Sequence, residues 1–370
     1  MGKSFVEYFS MIKKKNIFIK NIYYMLSYAF TTLNQKTYED IAKEDFENIH
    51  NLFAAILAKG INHQLKRGLY REYLDRKENL VAMRGKVDMA GTIRNKIMRK
   101  QVLFCEYDEL SENNQLNQIL KTTVIILLRH AQVDAQYKDE LRKQILFFSN
   151  IDLLEPASIK WLAIRFQRNY ESYRMLIGLC QLILEGMLLT TEKGAYKLAS
   201  FIDEQHMHKL FEKFILEYYY KEYPALHVNA SQIPWVLDDN FKTMLPIMQS
   251  DITVSYGKKM LIIDAKFWAR TTQSYHDSHT IHSSNLYQIF TYVKNKDASF
   301  EDVSHEVAGM LLYARTDELI QPDVTYQMSG NQISVKTLDL NCEFQDIAQQ
   351  LNLIVEEYFG DEILSIQNII

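Results

Sequence analysis

The residues best placed to do chemistry stand in one short stretch, Asp251-Ile-Thr-Val-Ser-Tyr-Gly257-Lys258-Lys-Met-Leu-Ile-Ile-Asp264-Ala265-Lys266-Phe267. Two strand-like patterns flank Gly257-Lys258, and glycine at the first central position suits a two-residue type II′ hairpin turn. With that turn Tyr256 faces Lys259, and counting back along both strands sets Asp251 directly opposite Asp264. Opposed residues have Cβ atoms roughly 4.5–5.5 Å apart, where two like charges destabilise a sheet unless something compensates. Because side chains alternate, Asp264 and Lys266 share one face while Ile263, Ala265 and Phe267 point the other way. Two carboxylates and an ammonium converging in this way suit Mg²⁺, which takes hard oxygen ligands, activates water and stabilises charge on a phosphodiester. The pattern alone also fits a half-exposed hairpin whose polar face meets water.

Other groups could join this centre. Gln288 and Tyr292 are four apart in Leu286-Tyr-Gln-Ile-Phe-Thr-Tyr292 and so share a helix face, and Glu212 in Leu210-Phe-Glu-Lys-Phe214 offers a third acid upstream. His276, His279 and His282 form an H-x-x-H-x-x-H run that could suggest zinc, although the Ser and Thr between them read as a polar loop. No G-x-x-x-x-G-K-[ST] segment occurs, so the chain is expected to bind no nucleotide through such a loop.

The elements that must position these groups follow from apolar spacing. Helices are expected over about 17–30 and 45–64, then strand-like pieces at Leu69–Leu74 and Leu80–Met89 with Gly85 and Gly91 as turn or bulge positions. Ser111 offers an N-cap for a helix through Leu127, and another covers Asp139–Phe148. Helices at about Tyr170–Leu189, Asp203–Tyr220, Ser284–Lys294 and Cys342–Tyr358 alternate with strands at Asp251–Tyr256, Met260–Phe267 and Val307–Tyr313. The expected fold is α+β or α/β: an N-terminal mixed domain over residues 1–160 and an α/β domain over 161–370, divided near Pro156.

The 370 residues allow two cores, and a net charge of −4 excludes a generally basic protein that coats nucleic acid through its overall field. Any DNA contact must be local. Lys13, Lys14, Lys15 and Lys20, and the run Arg84, Lys86, Arg94, Lys96, Arg99, Lys100, could supply it or form solvated faces, and the second run could instead meet a protein partner. Cys105, Cys180 and Cys342 are widely separated, which argues against a disulfide framework and fits a reducing cytoplasm. No apolar run approaches the roughly 20 residues that would span a bilayer.

The D…D-A-K arrangement resembles the PD-(D/E)xK nuclease superfamily, and the chain as a whole resembles the McrC family, nuclease subunits of McrBC-type restriction systems directed at modified cytosine. The marks are Asn21-Ile-Tyr-Tyr-Met-Leu-Ser-Tyr-Ala-Phe30, Arg84-Gly-Lys-Val-Asp88 with Thr92-Ile-Arg94, Tyr107-Asp-Glu-Leu-Ser-Glu-Asn113 with Asn117, the hairpin, Ser283-Ser-Asn-Leu-Tyr-Gln288 and Gly309-Met-Leu-Leu-Tyr313. The resemblance implies a catalytic centre of Asp251, Asp264 and Lys266 with Gln288, Tyr292 and Glu212 in support, a metal set of Asp251, Asp264 and Ala265, and Mg²⁺ as cofactor. It also implies cleavage of double-stranded DNA beside an AAA+ GTPase ring, on which the N-terminal part docks and whose hydrolysis it stimulates. A stand-alone repair nuclease would lack the Asn21–Asn117 region, and a catalytically silent adaptor would have lost the acids or the lysine.

Overall fold

The computed structural model describes residues 18–166, 170–190, 196–199, 202–239, 241–267, 272–275, 278–300, 304–315 and 321–360. It is a mixed α and β protein in two compact units, one of residues 53–199 and one joining 1–52 to 200–370. The division expected at 160 is therefore not where the units part. Asn21 shows one reason: its side-chain amide donates to the carbonyls of Leu340 and Cys342, each at 2.8 Å, fastening the first helix (α1, 18–29) to the far end of the chain. Tyr24 and Tyr28 of α1 stack on Phe344 in the same unit. Lys13, Lys14 and Lys15 lie outside the described residues.

In the 53–199 unit, helix α2 (Ile49–Arg67) is apolar nearly all round through Leu52–Ala58 and is buried there, as a central core helix must be. Strands β1 (Glu72–Leu80) and β3 (Leu103–Ser111) pair antiparallel along their whole length, with β2 (Lys86–Val87) on the other side of β3. Helix α3 (Met89–Ile97) lies between them in sequence, capped by Asp88, whose carboxylate accepts from the Ala90 N–H at 2.9 Å. Of the strand expected over Leu80–Met89, only Leu80, the last residue of β1, and Lys86–Val87 lie in strands, and Met89 already begins α3. Gly91 sits inside α3, where a Cβ would come within 2.6 Å of the Phe104 ring, so the glycine serves close packing. Gly85 does turn the chain, at φ +65°.

The base of this sheet is locked by a buried amide network. Helix α4 (Gln115–Arg129) starts at Asn114, not Ser111, and carries Asn117. The Asn117 amide donates to the carbonyls of Tyr70 (2.8 Å) and Glu112 (2.7 Å), and its oxygen accepts from the Tyr173 hydroxyl (2.9 Å) on helix α5 (Glu171–Leu184). Tyr173 in turn accepts from the Tyr70 N–H at 2.7 Å.

In the other unit, helix α6 (Glu204–Glu222) leads into a six-stranded sheet. Its strands are β4 (His227–Asn229), β5 (Ile252–Tyr256), β6 (Lys259–Lys266), β7 (Glu306–Ala314), β8 (Val324–Met328) and β9 (Asn331–Leu338), in the order β8-β9-β7-β6-β5-β4. The neighbours β6 and β7, and β7 and β9, run parallel; the rest are antiparallel. The parallel centre reads as continuous apolar runs, Leu261–Ile263 and Val307–Leu312, because both faces are covered. The crossover from β6 to β7 carries helix α7 (Ser283–Ala298), and helix α8 (Phe344–Phe359) contacts β6 and β9.

Ile289 and Val293 of α7 pack with Ile262, Val307, Leu311, Tyr313, Ile333 and Val335 in one buried cluster. Gly309 allows that approach, since a Cβ there would stand 2.7 Å from Val293 Cγ2.

Removing the Asn117 amide strips Tyr173 of its acceptor, and a buried polar group left unpaired costs about 1–3 kcal/mol. Asn117→Ala is expected to lower the free energy of unfolding by about 2–3 kcal/mol in urea titrations; a change within about 0.5 kcal/mol would contradict the role given to the network.

Candidate active site

The β5–β6 hairpin forms as counted. Tyr256 pairs with Lys259, and the ladder runs to Ile252 opposite Ile263. Gly257 turns at φ +58°, while Lys258 is absent from the residues of positive φ, the pattern of a type II′ turn. Asp251 lies one step past the last pair, and its side chain takes over where the backbone ladder stops. Its Oδ2 accepts from the Ala265 N–H at 2.9 Å. In a strand the N–H and C=O of one residue project to the same edge, so the Ala265 carbonyl also faces the Asp251 side.

Asp264 has the parity of Ile262 and so lies on the sheet face that α7 covers, beside Leu311, with Lys266 beside Tyr313. It is 1% exposed and Lys266 is 7% exposed. Lys266 Nζ stands 2.8 Å from Asp264 Oδ2, an ion pair whose angles fall outside hydrogen-bond geometry, and neither Asp264 oxygen meets a well-aligned donor.

Burial first, and then the charge of Asp264 and Glu212, push the Asp251 carboxyl up to about 8, against the opposing pull of Lys266 and the Ala265 N–H. Asp264 is raised as well, chiefly by burial, with Lys266, Asp251 and His208 pulling it back. The two carboxyls lie close enough that each feels the other's charge, so they lose their protons as a pair rather than one by one. At ~5 Å and an effective dielectric of ~20, two unit charges repel by about 3 kcal/mol, which a proton or a cation must offset. The donor set fits a hard divalent ion: two carboxylates with unfilled acceptor positions and a backbone carbonyl at the same edge. Hard oxygen donors of this kind suit Mg²⁺, an ion that keeps several of its waters.

Glu212 sits on α6, its Oε1 2.6 Å from His208 Nδ1, and its charge is felt at Asp251. Gln288 and Tyr292 do share a face of α7 and join each other, Gln288 Nε2 donating to the Tyr292 hydroxyl at 3.0 Å. No hydrogen bond joins either of them to Asp251, Asp264 or Lys266 among the described residues. The closer link from α7 is Asn285, whose amide donates to the Tyr313 hydroxyl at 2.8 Å; Tyr313 stands beside Lys266, and burial first, then the charge of Asp264, raises its pKa against the pull of the Asn285 bond. Asn285, Tyr313 and His208 were not read from the sequence as site residues; for His208 the signal was its place one turn before Glu212.

His276 and the side chain of His279 lie outside the described residues. The segment read as a polar loop instead contains a hairpin, Thr272–Tyr275 with Ser278–Ile281, and His282 heads α7. The basic run Arg84–Lys100 belongs to the other unit.

Asp251 releases its proton near 3.8 when unfolded and near 8 when folded, so the folded, metal-free chain binds more protons between these values. Its stability is therefore expected to fall as pH rises through that window, and Asp251→Asn should flatten the dependence. Thermal melts in chelator across the window check this; an unchanged slope in Asp251→Asn would contradict it.

The model of the family described as "McrBC 5-methylcytosine restriction system component" matches residues 9–314. The Escherichia coli K12 protein described as "Type IV methyl-directed restriction enzyme EcoKMcrBC" is 27% identical over 344 residues, covering 92% of this chain and 97% of that protein. Among solved structures, the half-complex from the tetradecameric assembly of Thermococcus gammatolerans McrB AAA+ hexamers with bound McrC aligns over 83% of this chain and 68% of its own, at 19% identity and a TM-score of 0.43. The cryo-EM structure of the Thermococcus gammatolerans McrBC complex aligns over 55% and 58%, at 23% identity and a TM-score of 0.40. With the family match spanning most of its length, the chain belongs to the McrBC 5-methylcytosine restriction system component family.

Proposed function

We propose that this chain is the DNA-cutting subunit of its restriction system, a Mg²⁺-dependent endonuclease with a PD-(D/E)xK-type centre at Asp251, Asp264 and Lys266. The observation that carries this reading is the acid pair at the end of the β5–β6 hairpin, Asp264 buried and Asp251 half-buried, with a lysine two residues after Asp264 along the same face. A mixed sheet flanked by α6, α7 and α8 agrees with it.

Asp251, Asp264 and the Ala265 carbonyl would hold the cation. When bound, Mg²⁺ lowers the pKa of water and offsets charge building on a phosphodiester. Lys266 holds a positive charge against Asp264 at the point where a phosphate oxygen would gain negative charge. The Ala265 N–H fixes the Asp251 carboxylate so that little reorganisation is needed.

The second half of the proposal is a division of labour with an AAA+ GTPase ring that recognises and moves along DNA. It rests on membership of the family and on the surface of the 53–199 unit. Met89, Ile93 and Ile97 form an exposed stripe along α3, joined by exposed Val81 and Met83. Part of the nearby basic run is already engaged: Arg84 lies 4.0 Å from the Tyr107 ring centroid and pairs with Glu109. Apolar side chains presented on a supported arm suit a protein surface better than a phosphate backbone, which is gripped by charge.

With the cognate ring, GTP, Mg²⁺ and methylated plasmid, Asp264→Ala is expected to abolish cutting while stimulation of GTP hydrolysis survives. Ile93→Asp with Ile97→Asp should do the reverse to the GTPase, lowering its stimulation while thermal stability holds. Cleavage by Asp264→Ala would end the catalytic assignment in favour of an adaptor. Full stimulation by the double aspartate variant would move the docking surface off α3.

A further inference from the structure

We infer that Ser250 and Thr253 are positioning residues of the nuclease centre: together with Ser231, their hydroxyls brace a β-bulge that takes Asp251 out of the strand ladder and turns its carboxylate to Ala265. The inference rests on the nuclease reading above and deepens it by naming what holds the first acid in place.

The bulge follows from register. Asn229 of β4 pairs with Thr253 of β5, and a short ribbon further along pairs Gln232 with Gln249 and Ile233 with Met248. Between these two ladders residues 230 and 231 face residues 250, 251 and 252, so the strand that carries Asp251 has one residue more than its partner. Such an extra residue is left out of the ladder and bends its strand, and bulges beside active sites re-aim a side chain. Asp251 sits at that bend.

Hydroxyl groups hold the bend closed. In an extended strand, residues three apart are roughly 10 Å from each other and point to opposite faces. Ser250 Oγ and Thr253 Oγ1 are instead 2.8 Å apart, reaching past Asp251 and Ile252. Ser231 Oγ stands 2.9 Å from Thr253 Oγ1, and Ser250 Oγ donates to the Ser231 carbonyl at 3.2 Å. One set of directions gives every hydroxyl proton an acceptor: Ser231 to Thr253, Thr253 to Ser250, and Ser250 to the Ser231 carbonyl. The Ser250 N–H donates to the same carbonyl at 3.0 Å, and the Ser231 N–H donates back to Ser250 Oγ at 3.3 Å. Ser250 and Thr253 are buried, so water does not compete for these bonds.

The backbone ladder between β5 and β6 ends at Ile252 and Ile263, one residue short of Asp251. What fixes the Asp251 backbone is therefore the braced bulge, and what fixes its side chain is the Ala265 N–H at 2.9 Å. A carboxylate carried on a bend is placed only as well as the bend is held, and a misplacement of about 1 Å at a reacting centre can cost about 10²-fold in rate.

The test uses the full chain and three variants: Ser250→Ala, Thr253→Val, which keeps the shape and loses the hydroxyl, and Thr253→Ser, which does the reverse. Amide exchange at Ala265 is followed in the metal-free chain with isotope-labelled alanine, with Ala308 on β7 as the control. The second readout is the Mg²⁺ concentration for half-maximal cleavage of methylated plasmid with the GTPase ring. Ser250→Ala and Thr253→Val are expected to speed exchange at Ala265 about tenfold while Ala308 holds, and to raise the Mg²⁺ midpoint about tenfold. Thr253→Ser should stay near wild type in both. The proposal is overturned if Thr253→Val matches wild type, if Thr253→Ser is the more impaired of the two, as packing alone would require, or if Ala308 loosens along with Ala265. A wild type that cuts nothing overturns the nuclease reading, whatever Ala265 does; a wild type that cuts beside an unaffected Thr253→Val overturns the positioning role alone.

Discussion

Two carboxylates brought together under a protein surface, with one ammonium beside them, leave a charge unbalanced. Asp251, Asp264 and Lys266 are in that position, and much of the surrounding architecture explains how the chain tolerates it. Asp264 is on a parallel strand covered on both faces, so it cannot turn to water. Asp251 is held by the N–H of Ala265 and cannot swing away. The strain falls on protonation: the pair keeps a proton that isolated carboxyls would lose, and a divalent cation can take the place of that proton.

The sheet unit keeps its acids rigid through an apolar cluster under α7 and through the aromatic packing of α6, while the 53–199 unit presents an arm held to its base by Asn114 and Asn117. The strands of the arm contribute little to a core. Cross-strand ion pairs line them, Lys77 with Glu106 and Arg76 with Glu109, and apolar side chains are left exposed on α3. A segment so built is suited to binding another surface, and its supporting network makes the presentation fixed.

The hairpin was legible in the sequence because register follows from counting once the turn is recognised, and parity then assigns Asp264 and Lys266 to one face. The β6 and β7 strands announced themselves as unbroken apolar runs. The arm did not. Leu103–Ser111 opens with three apolar residues and then mixes charged with apolar ones, burying only Cys105, and its pairing with Glu72–Leu80 is visible only when both strands are in place. Helix α3 was hidden by Gly91, which reads as a breaker until Phe104 is seen packed against it. The unit boundary depended on Asn21 reaching Leu340 and Cys342, a contact across most of the chain that no local pattern encodes.

The central claim is that the proposed cation replaces a proton that burial keeps on the Asp251–Asp264 pair. Calorimetry of Mg²⁺ binding near neutral pH, repeated in buffers of different ionisation enthalpy, counts the protons released. The account predicts release of about one proton per Mg²⁺, lost in Asp251→Asn. Binding of Mg²⁺ with no proton release would mean that the pair is already ionised, and would contradict it.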